Sequence, residues 1–211
     1  MKDIFLIVGF LEIVLVIFMQ WQIYLKKIVN TFSVSSYAIS IFLFADGIVL
    51  NNTNLLILAT LTAAVRGFFI PYFIKKRFKE HYLEREIKPT IPTAASIILS
   101  LIFVVAGYII YHSTIYNSLN VLGGSIPIAL LFQGIFLIIS RDNAFVQLIG
   151  YMVAENSLFL FGGYLFPELP FIIEGGILLD LIGIVMISGI IIKLREENVS
   201  DIIDEFEEFK G

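Results

Sequence analysis

Long apolar segments dominate this chain and leave few folds open to it. About seven of them, each close to 20 residues long, are separated by short polar breaks. A helix of that length rises about 30 Å, the thickness of a bilayer's hydrocarbon core, where no water can satisfy open backbone groups. We therefore predict an all-α integral membrane protein with about seven transmembrane helices. The predicted spans are 4–25, 32–50, 54–74, 92–112, 121–140, 144–166 and 171–193.

The composition supports this interpretation. Hydrophobic residues make up 58% of the 211 residues and charged residues 15%, whereas a soluble domain has roughly 25% charged residues. The absence of cysteine excludes disulfides, thiolate metal sites and iron–sulfur ligands. Both histidines are assigned to predicted loops, His81 within one and His112 at the boundary with the 92–112 span, which argues against a transmembrane haem. We expect no cofactor, no resident metal and no nucleic-acid partner.

Basic residues are confined to alternate predicted loops. They follow the first, third, fifth and seventh spans, at Lys26, Lys27, Lys75, Lys76, Arg77, Lys79, Arg85, Lys88, Arg141, Lys193 and Arg195. Cytoplasmic loops carry the excess of lysine and arginine in membrane proteins. The pattern therefore predicts an outside N-terminus, a cytoplasmic C-terminus and a location in the plasma membrane.

These features divide the chain into four parts. A three-helix part (1–74) is followed by a charged cytoplasmic loop (75–91), a four-helix part (92–195) and an acidic cytoplasmic tail (196–211). The loop is either a solvated, partly helical hairpin or a docking surface. The tail is either disordered or a short amphipathic helix that docks on a partner subunit; its apolar residues at near-helical spacing are Ile202, Ile203, Phe206 and Phe209.

Ionisable residues lie inside the predicted spans, where a charge at the centre costs at least about 2.5–3.5 kcal/mol. They are Glu12, Asp46, Arg66, Glu155, Glu174 and Asp180. We expect a structural role for Glu12 and Asp46, which can reach an interface or a neighbouring helix. Glu155 and Asp180 lie near the middle of consecutive spans, where burial disfavours an ionised carboxylate. We expect both to hold and exchange a proton; hydrogen bonding that ties helices together is the alternative.

A permanent charge, Arg66, precedes Pro71 in the third span, and this proline frees a backbone carbonyl. We expect Arg66 to face the bundle interior and to act on a nearby acid; the alternative is that it extends to the cytoplasmic surface. Asn156 lies beside Glu155 and would pass the proton on. The predicted ion pathway contains Glu155, Asp180, Glu174, Arg66 and Asn156, with no catalytic, cofactor-binding or metal-binding residue.

Several segments resemble component E of hydrogenase-4. Residues 150–156, Gly-Tyr-Met-Val-Ala-Glu-Asn, match its G-Y-x-x-x-E-N motif, residues 174–180 resemble its E-x-G-x-x-L-D pattern, and residues 66–71 fit a basic-x-x-x-x-Pro pattern. The last three spans are also similar to the K-type subunit of complex I and the C-type subunit of Mrp antiporters. Met152 stands where the K-type pattern has a glutamate, and Glu155 lies one turn further along that helix face.

The resemblance implies a non-catalytic membrane-arm subunit of a group 4 nickel–iron hydrogenase or formate hydrogenlyase. Its partners would be antiporter-like membrane subunits and a cytoplasmic hydrogenase arm, and the redox metals would belong to other subunits. Buried acids would contribute to proton or sodium translocation coupled to electron transfer. Two alternatives remain open from the residues: a stand-alone ion antiporter or transporter, and a structural scaffold for antiporter-like subunits.

Overall fold

The regular structure is helical throughout the part of the chain that is described. The computed structural model describes residues 2–80, 90–119, 121, 123–165, 183, 185 and 189, and these contain no strand. Five helices within these residues are long and apolar enough to cross a membrane. The all-α class is therefore confirmed for the described residues, and the helices are those expected of a multi-pass membrane protein.

We number the helices α1 to α6 in chain order. The single-segment helices are α1 (Lys2–Trp21), α2 (Leu25–Val49), α5 (Ser125–Ile139) and α6 (Ala144–Leu165). Two helices contain a π-helical turn: α3 joins Thr53–Thr62, Ala63–Phe69 and Ile70–Glu80, and α4 joins Thr93–Ile110, Tyr111–Ile115 and Tyr116–Leu119. Of the predicted seventh span, Gly183, Val185 and Gly189 are described and helical; the rest of it, the 81–89 segment and the tail lie outside the described residues.

The helices pack around a centre to which α1, α2 and α6 contribute. Helix α1 contacts α2, α4, α5 and α6, while α2 contacts both α3 and α6 and thus lies between them. The most extensive helix contact joins α5 to α6. In the apolar window of α6, 67% of the residues are buried, against 17% in that of α4. Of the five long described helices, α6 is therefore the most enclosed and α4 the least.

Backbone contact fixes α5 against α6. A Cβ atom built on Gly134 would lie 2.6 Å from the backbone nitrogen of Ala154, and one on Gly150 would lie 3.0 Å from the carbonyl oxygen of Gly134. Side chains at these positions would push the helices apart, and small residues are common where membrane helices approach closely. The contact holds the segment of α6 that carries Glu155 in place.

The turn between α1 and α2 is shorter than predicted. The predicted spans left residues 26–31 as a loop, but α1 ends at Trp21 and α2 begins at Leu25. The first turns of α2 bury apolar residues at helical spacing, namely Leu25, Ile28, Val29 and Phe32. Their burial starts the helix early, so Lys26 and Lys27 lie in its first turn and not in a loop.

A distant arginine caps the end of α1. Arg141, between α5 and α6, is buried and donates to the carbonyl oxygens of Gln20 at 2.6 Å and Gln22 at 3.2 Å. The last carbonyls of a helix have no partners within it and carry partial negative charge, so a guanidinium satisfies and stabilises them. This contact from 119 residues away helps to end α1 earlier than its hydropathy predicts.

Helix α4 extends beyond its predicted end. Residues 113–120 were predicted as a loop, but the helix runs to 119, and His112 lies in its π-helical turn. The hydroxyls of Ser113 and Thr114 donate to the carbonyl oxygen of Ile110 at 3.2 and 2.5 Å. These polar side chains satisfy a backbone group of the widened helix instead of ending it. The prediction that His112 occupies a loop was therefore wrong.

Helix α5 is shorter than the predicted 121–140 span. Its 15 residues begin after Gly123, which has a φ of 90°, and Gly124. A Cβ on Gly124 would lie 2.4 Å from the ring of Tyr111, whose hydroxyl donates to the carbonyl oxygen of Val121 at 2.7 Å. At 1.5 Å per residue the helix is about 22 Å long, less than the ~30 Å of a bilayer core.

Helix α2 donates a hydrogen bond to the backbone of α3 near Pro71. Pro71 has no N–H to donate to the carbonyl of Gly67, four residues before it. The hydroxyl of Ser33 donates to that carbonyl oxygen at 2.5 Å. The close approach depends on glycine, because a Cβ at position 67 would lie 2.8 Å from the ring of Tyr37. The hydrogen bond from Ser33 fixes the π-helical turn Ala63–Phe69 against α2.

We expect Ser33→Ala to lower the free energy of unfolding by about 1–3 kcal/mol, because it leaves the Gly67 carbonyl without this donor. Unfolding of the full chain in mixed detergent micelles measures the change. Pro71→Ala supplies a backbone N–H and should recover part of the loss in the double variant. Ser40→Ala is the matched control: Ser40 donates to the Ala59 carbonyl at 2.7 Å, but that carbonyl also accepts from the backbone of Ala63. If Ser33→Ala and Ser40→Ala lowered the free energy of unfolding equally, and Pro71→Ala recovered none of the loss, the role of Ser33 beside Pro71 would be contradicted.

Candidate functional site

Polar side chains from four helices meet near the middle of the bundle. They are Glu12 of α1, Ser35 of α2, Arg66 of α3, and Glu155 and Asn156 of α6, and each is at most 2% exposed. We call this set the polar cluster. Glu12 lies ten residues after Lys2 and nine before Trp21, and Glu155 lies eleven after Ala144 and ten before Leu165. The cluster therefore occupies the part of the helices farthest from either end.

An ion pair forms one half of the polar cluster. The Nη2 atom of Arg66 donates to Oε2 of Glu155, and its Nη1 atom donates to Oδ1 of Asn156 at 2.8 Å. The guanidinium carbon lies 4.6 Å from the ring centroid of Phe159, a distance at which a cation is attracted to an aromatic face. The side chain of Arg66 thus reaches from α3 to α6 inside the bundle, and does not extend to the cytoplasmic surface.

Hydrogen bonds continue from the ion pair to a second acid. The Nδ2 atom of Asn156 donates to Oγ of Ser35 at 3.1 Å, and that hydroxyl donates to Oε2 of Glu12 at 2.5 Å. In each of these hydrogen bonds the donor is on the side of Arg66 and the acceptor is on the side of Glu12. One guanidinium is therefore joined to two carboxyl groups, to Glu155 directly and to Glu12 through two neutral side chains.

The local sequence explains how Arg66 reaches this position. It lies in the π-helical turn Ala63–Phe69, a rare helix form that is frequently found at functional sites. The next residue, Gly67, permits the close approach to α2. Together these features let a side chain of α3 bond to α6 although α2 lies between the two helices.

The charges of the polar cluster depend on one another. Arginine stays protonated inside a protein, so burying Arg66 requires an anion. Glu155 supplies it, and removing one partner of a buried pair costs about 3–5 kcal/mol in soluble proteins. The other carboxyl oxygen of Glu12, Oε1, has no hydrogen-bond partner among the described residues. The cluster thus contains both a paired and an incompletely bonded carboxyl group.

The structure brings together Arg66, Asn156 and Glu155 of the predicted pathway. Glu174 and Asp180 lie outside the described residues, so their predicted places in the pathway stay predictions. The hydroxyl of Ser157, the residue after Asn156, donates to the Ala154 carbonyl of its own helix at 2.5 Å.

One described residue of the seventh segment lies beside α6. A Cβ on Gly183 would approach the Cε atom of Met152 to 2.8 Å. Met152 occupies the position where the K-type pattern has its glutamate, one turn before Glu155. Gly183 therefore lies beside α6, about one turn from Glu155.

Sequence reasoning missed two members of the polar cluster, Glu12 and Ser35. Because the predicted first span ran from 4 to 25, Glu12 was placed a third of the way along it, although it lies at the centre of α1. The serines of α2 at 33, 35 and 36 were a further signal, since such residues hydrogen-bond across membrane helices. Asp46, the other acid given a structural role, is buried in the last turn of α2, away from the cluster.

We expect Asn156→Leu to lower the free energy of unfolding by about 2–3 kcal/mol, because it removes the acceptor of Arg66 and the donor to Ser35 while keeping the branched shape of the side chain. Denaturation of the full chain in micelles measures this change. The neighbouring Ser157→Ala is the control and should cost well under half as much, since its hydroxyl donates to the Ala154 carbonyl of its own helix. Equal costs for the two variants would show that Asn156 does not bridge the helices.

Comparisons with protein-family models, with curated proteins and with solved structures give no match to this chain. The relation to hydrogenase-4 component E, predicted from its motifs, therefore stays a prediction.

Proposed function

We propose that this chain is a non-catalytic membrane-arm subunit of a membrane-bound hydrogenase complex, in which the polar cluster takes part in ion translocation coupled to electron transfer. The buried Arg66–Glu155 pair near the centre of the helices supports the ion-pathway part of the proposal. The resemblance of residues 150–156, which include Glu155 and Asn156, to a hydrogenase-4 component supports the hydrogenase part.

A buried ion pair can respond to charge in a way that apolar packing cannot. Protonation of Glu155 would cancel the anion that compensates Arg66, so the guanidinium would have to find another acceptor. A charge that arrives in a neighbouring subunit changes whether the protonated or the ionised form of Glu155 is favoured, because electrostatic interactions are strong where water is excluded. The pair can therefore couple the protonation of Glu155 to events outside the chain.

The cost of the pair also favours a functional role over a scaffold. Apolar residues of similar volume often replace a buried ion pair without loss of stability, or with a gain. Ionisable residues within membrane spans are rare and typically mark ion pathways and proton relays. The rarity of such residues in membrane spans therefore favours a role for Arg66 and Glu155 in an ion pathway in addition to joining α3 to α6.

The proposal extends to topology and partners. The chain has seven transmembrane helices in the plasma membrane, with its N-terminus outside and its C-terminus in the cytoplasm, as the alternation of basic residues favours. Asp180 and Glu174 continue the pathway from Glu155. Antiporter-like subunits flank the chain in the membrane, and the hydrogenase arm binds on the cytoplasmic side.

Glu155→Gln in the complex purified with mild detergent tests this function. The amide keeps the volume and an oxygen acceptor for Arg66 but cannot titrate. We expect the variant to be less stable, because Arg66 loses its directly bonded carboxylate. The complex that does assemble should react with artificial electron donors at the normal rate, while proton uptake or release by reconstituted vesicles is lost.

Asp46→Asn is the matched control, because Asp46 is also a buried acid of a spanning helix but lies outside the polar cluster. It should assemble and pump normally. Normal pumping by Glu155→Gln would leave the cluster with a structural role. Purification of the chain without hydrogenase subunits would contradict the hydrogenase part.

A further inference from the structure

We propose that the start of α2 and the end of α3 together form a binding surface for the headgroups of anionic phospholipids. Four lysines carry it: Lys26 and Lys27 in the first turn of α2, and Lys75 and Lys76 near the end of α3. We call these four residues the basic surface. It lies apart from the polar cluster, and lipid binding to it is independent of the proposed function.

Two hydrogen bonds fix the register of α2 against α3 and bring the four lysines to one level. Ser40 of α2 donates to the carbonyl of Ala59, and Ser33 donates to the carbonyl of Gly67, so the two helices run antiparallel. The last segment of α3, Ile70–Glu80, also contacts α2. Continued at 1.5 Å per residue, this register places the four lysines within about 5 Å of one another along the helix axes.

The depth of the polar cluster places the basic surface among lipid headgroups. Ser35 belongs to the cluster near the middle of the bundle, and Lys26 precedes it by nine residues of the same helix. Nine residues rise about 13 Å, close to half of a ~30 Å hydrocarbon core. A lysine at this depth extends its ammonium group outward, to the level of the lipid phosphates.

The described part of the chain gives the basic surface no anion. Three of its lysines are exposed and Lys75 is half-buried, and none forms an ion pair with a described residue. The first turn of α2 contains no acidic residue, although the positive end of a helix favours one. Asp142, at the same end of the bundle, accepts a hydrogen bond from Thr90 at 2.8 Å. An external anion would therefore be attracted to four like charges.

Exposed aromatic rings beside the lysines favour a phospholipid as the anion. Tyr24 directly precedes α2, Tyr72 and Phe73 lie in the last segment of α3, and all three are exposed. The Nζ atom of Lys27 lies 5.5 Å from the ring centroid of Tyr24. Tyrosine is enriched at the headgroup level of membrane helices, where its ring meets the acyl chains and its hydroxyl meets water. A phospholipid matches both the rings and the charges, whereas an acidic protein segment matches only the charges.

The single tryptophan of the chain reports lipid binding at this surface. Trp21 is 63% exposed and lies in the last turn of α1, just before the turn into α2. The full chain is reconstituted in phosphatidylcholine bilayers that contain a fraction of brominated phosphatidylglycerol or brominated phosphatidylcholine, since bromine quenches tryptophan fluorescence on contact. We expect the anionic lipid to bind near Trp21 at least about fivefold more tightly, because lysines at the membrane surface attract it. Equal quenching by the two lipids would overturn the proposal.

Charge removal assigns the preference to the basic surface. Replacement of all four lysines by glutamine should make the two lipids quench equally, and Lys26→Gln alone should lower the preference for the anionic lipid. Lys2→Gln is the matched control for Lys26→Gln, because Lys2 is an exposed lysine at the opposite end of α1 from Trp21. It should keep the wild-type preference. A preference that survives in the fourfold variant, or one that Lys2→Gln lowers as much as Lys26→Gln, would refute binding at this surface.

Two further measurements keep the test decisive if the fourfold glutamine variant does not fold. Lys75→Gln with Lys76→Gln removes only the α3 half of the surface; it should lower the preference, and an unchanged preference would contradict a surface that both helices form. Salt at 1 M, where the Debye length is about 3 Å, should weaken the wild-type preference. A preference that is equally strong at low and high salt would contradict binding through the lysine charges.

Discussion

The arrangement of this bundle depends on one constraint: a permanently charged side chain buried near the middle of its helices needs an anion that only another helix can supply. Arg66 and Glu155 are 89 residues apart in the chain, and their contact joins α3 to α6 across α2. Asn156 and Ser35 then join the same charge to α1 through Glu12. In a bilayer, where lipid and apolar side chains are equally apolar, such contacts specify which helix faces which.

Packing at other places holds the polar cluster together. Helix α6 is fixed by backbone contact with α5 at Gly134 and Gly150. Helix α3 is fixed where Ser33 donates to the carbonyl of Gly67, four residues before Pro71. Both devices use residues that weaken an isolated helix, glycine and proline, and both are tolerated because a neighbouring helix completes the contact. Gly150 lies five residues before Glu155, and Pro71 lies five residues after Arg66. Both contacts therefore help to hold the charged side chains in position.

The sequence predicted the features that depend on composition and on strong local signals. Hydropathy located all six described helices, and the rarity of charge in apolar segments identified Arg66 and Glu155. It did not predict that α1 ends at Trp21, because Arg141 caps that end from a distant loop. It assigned Glu12 a structural role because the misplaced end of α1 moved this acid away from the centre. Contacts between helices determine both features, and a single sequence does not encode such contacts in any local pattern.

The most direct test of the central contact is a solid-state NMR measurement on the chain in lipid bilayers, with ¹⁵N-labelled arginine and ¹³C-labelled glutamate. The Arg66–Glu155 pair predicts a strong dipolar coupling between a guanidinium nitrogen and a carboxyl carbon that is retained at low water content and is absent from Arg66→Lys. Absence of this coupling in wild type, together with rapid hydrogen exchange of the Arg66 guanidinium with bulk water, would place Arg66 at the membrane surface and contradict the account.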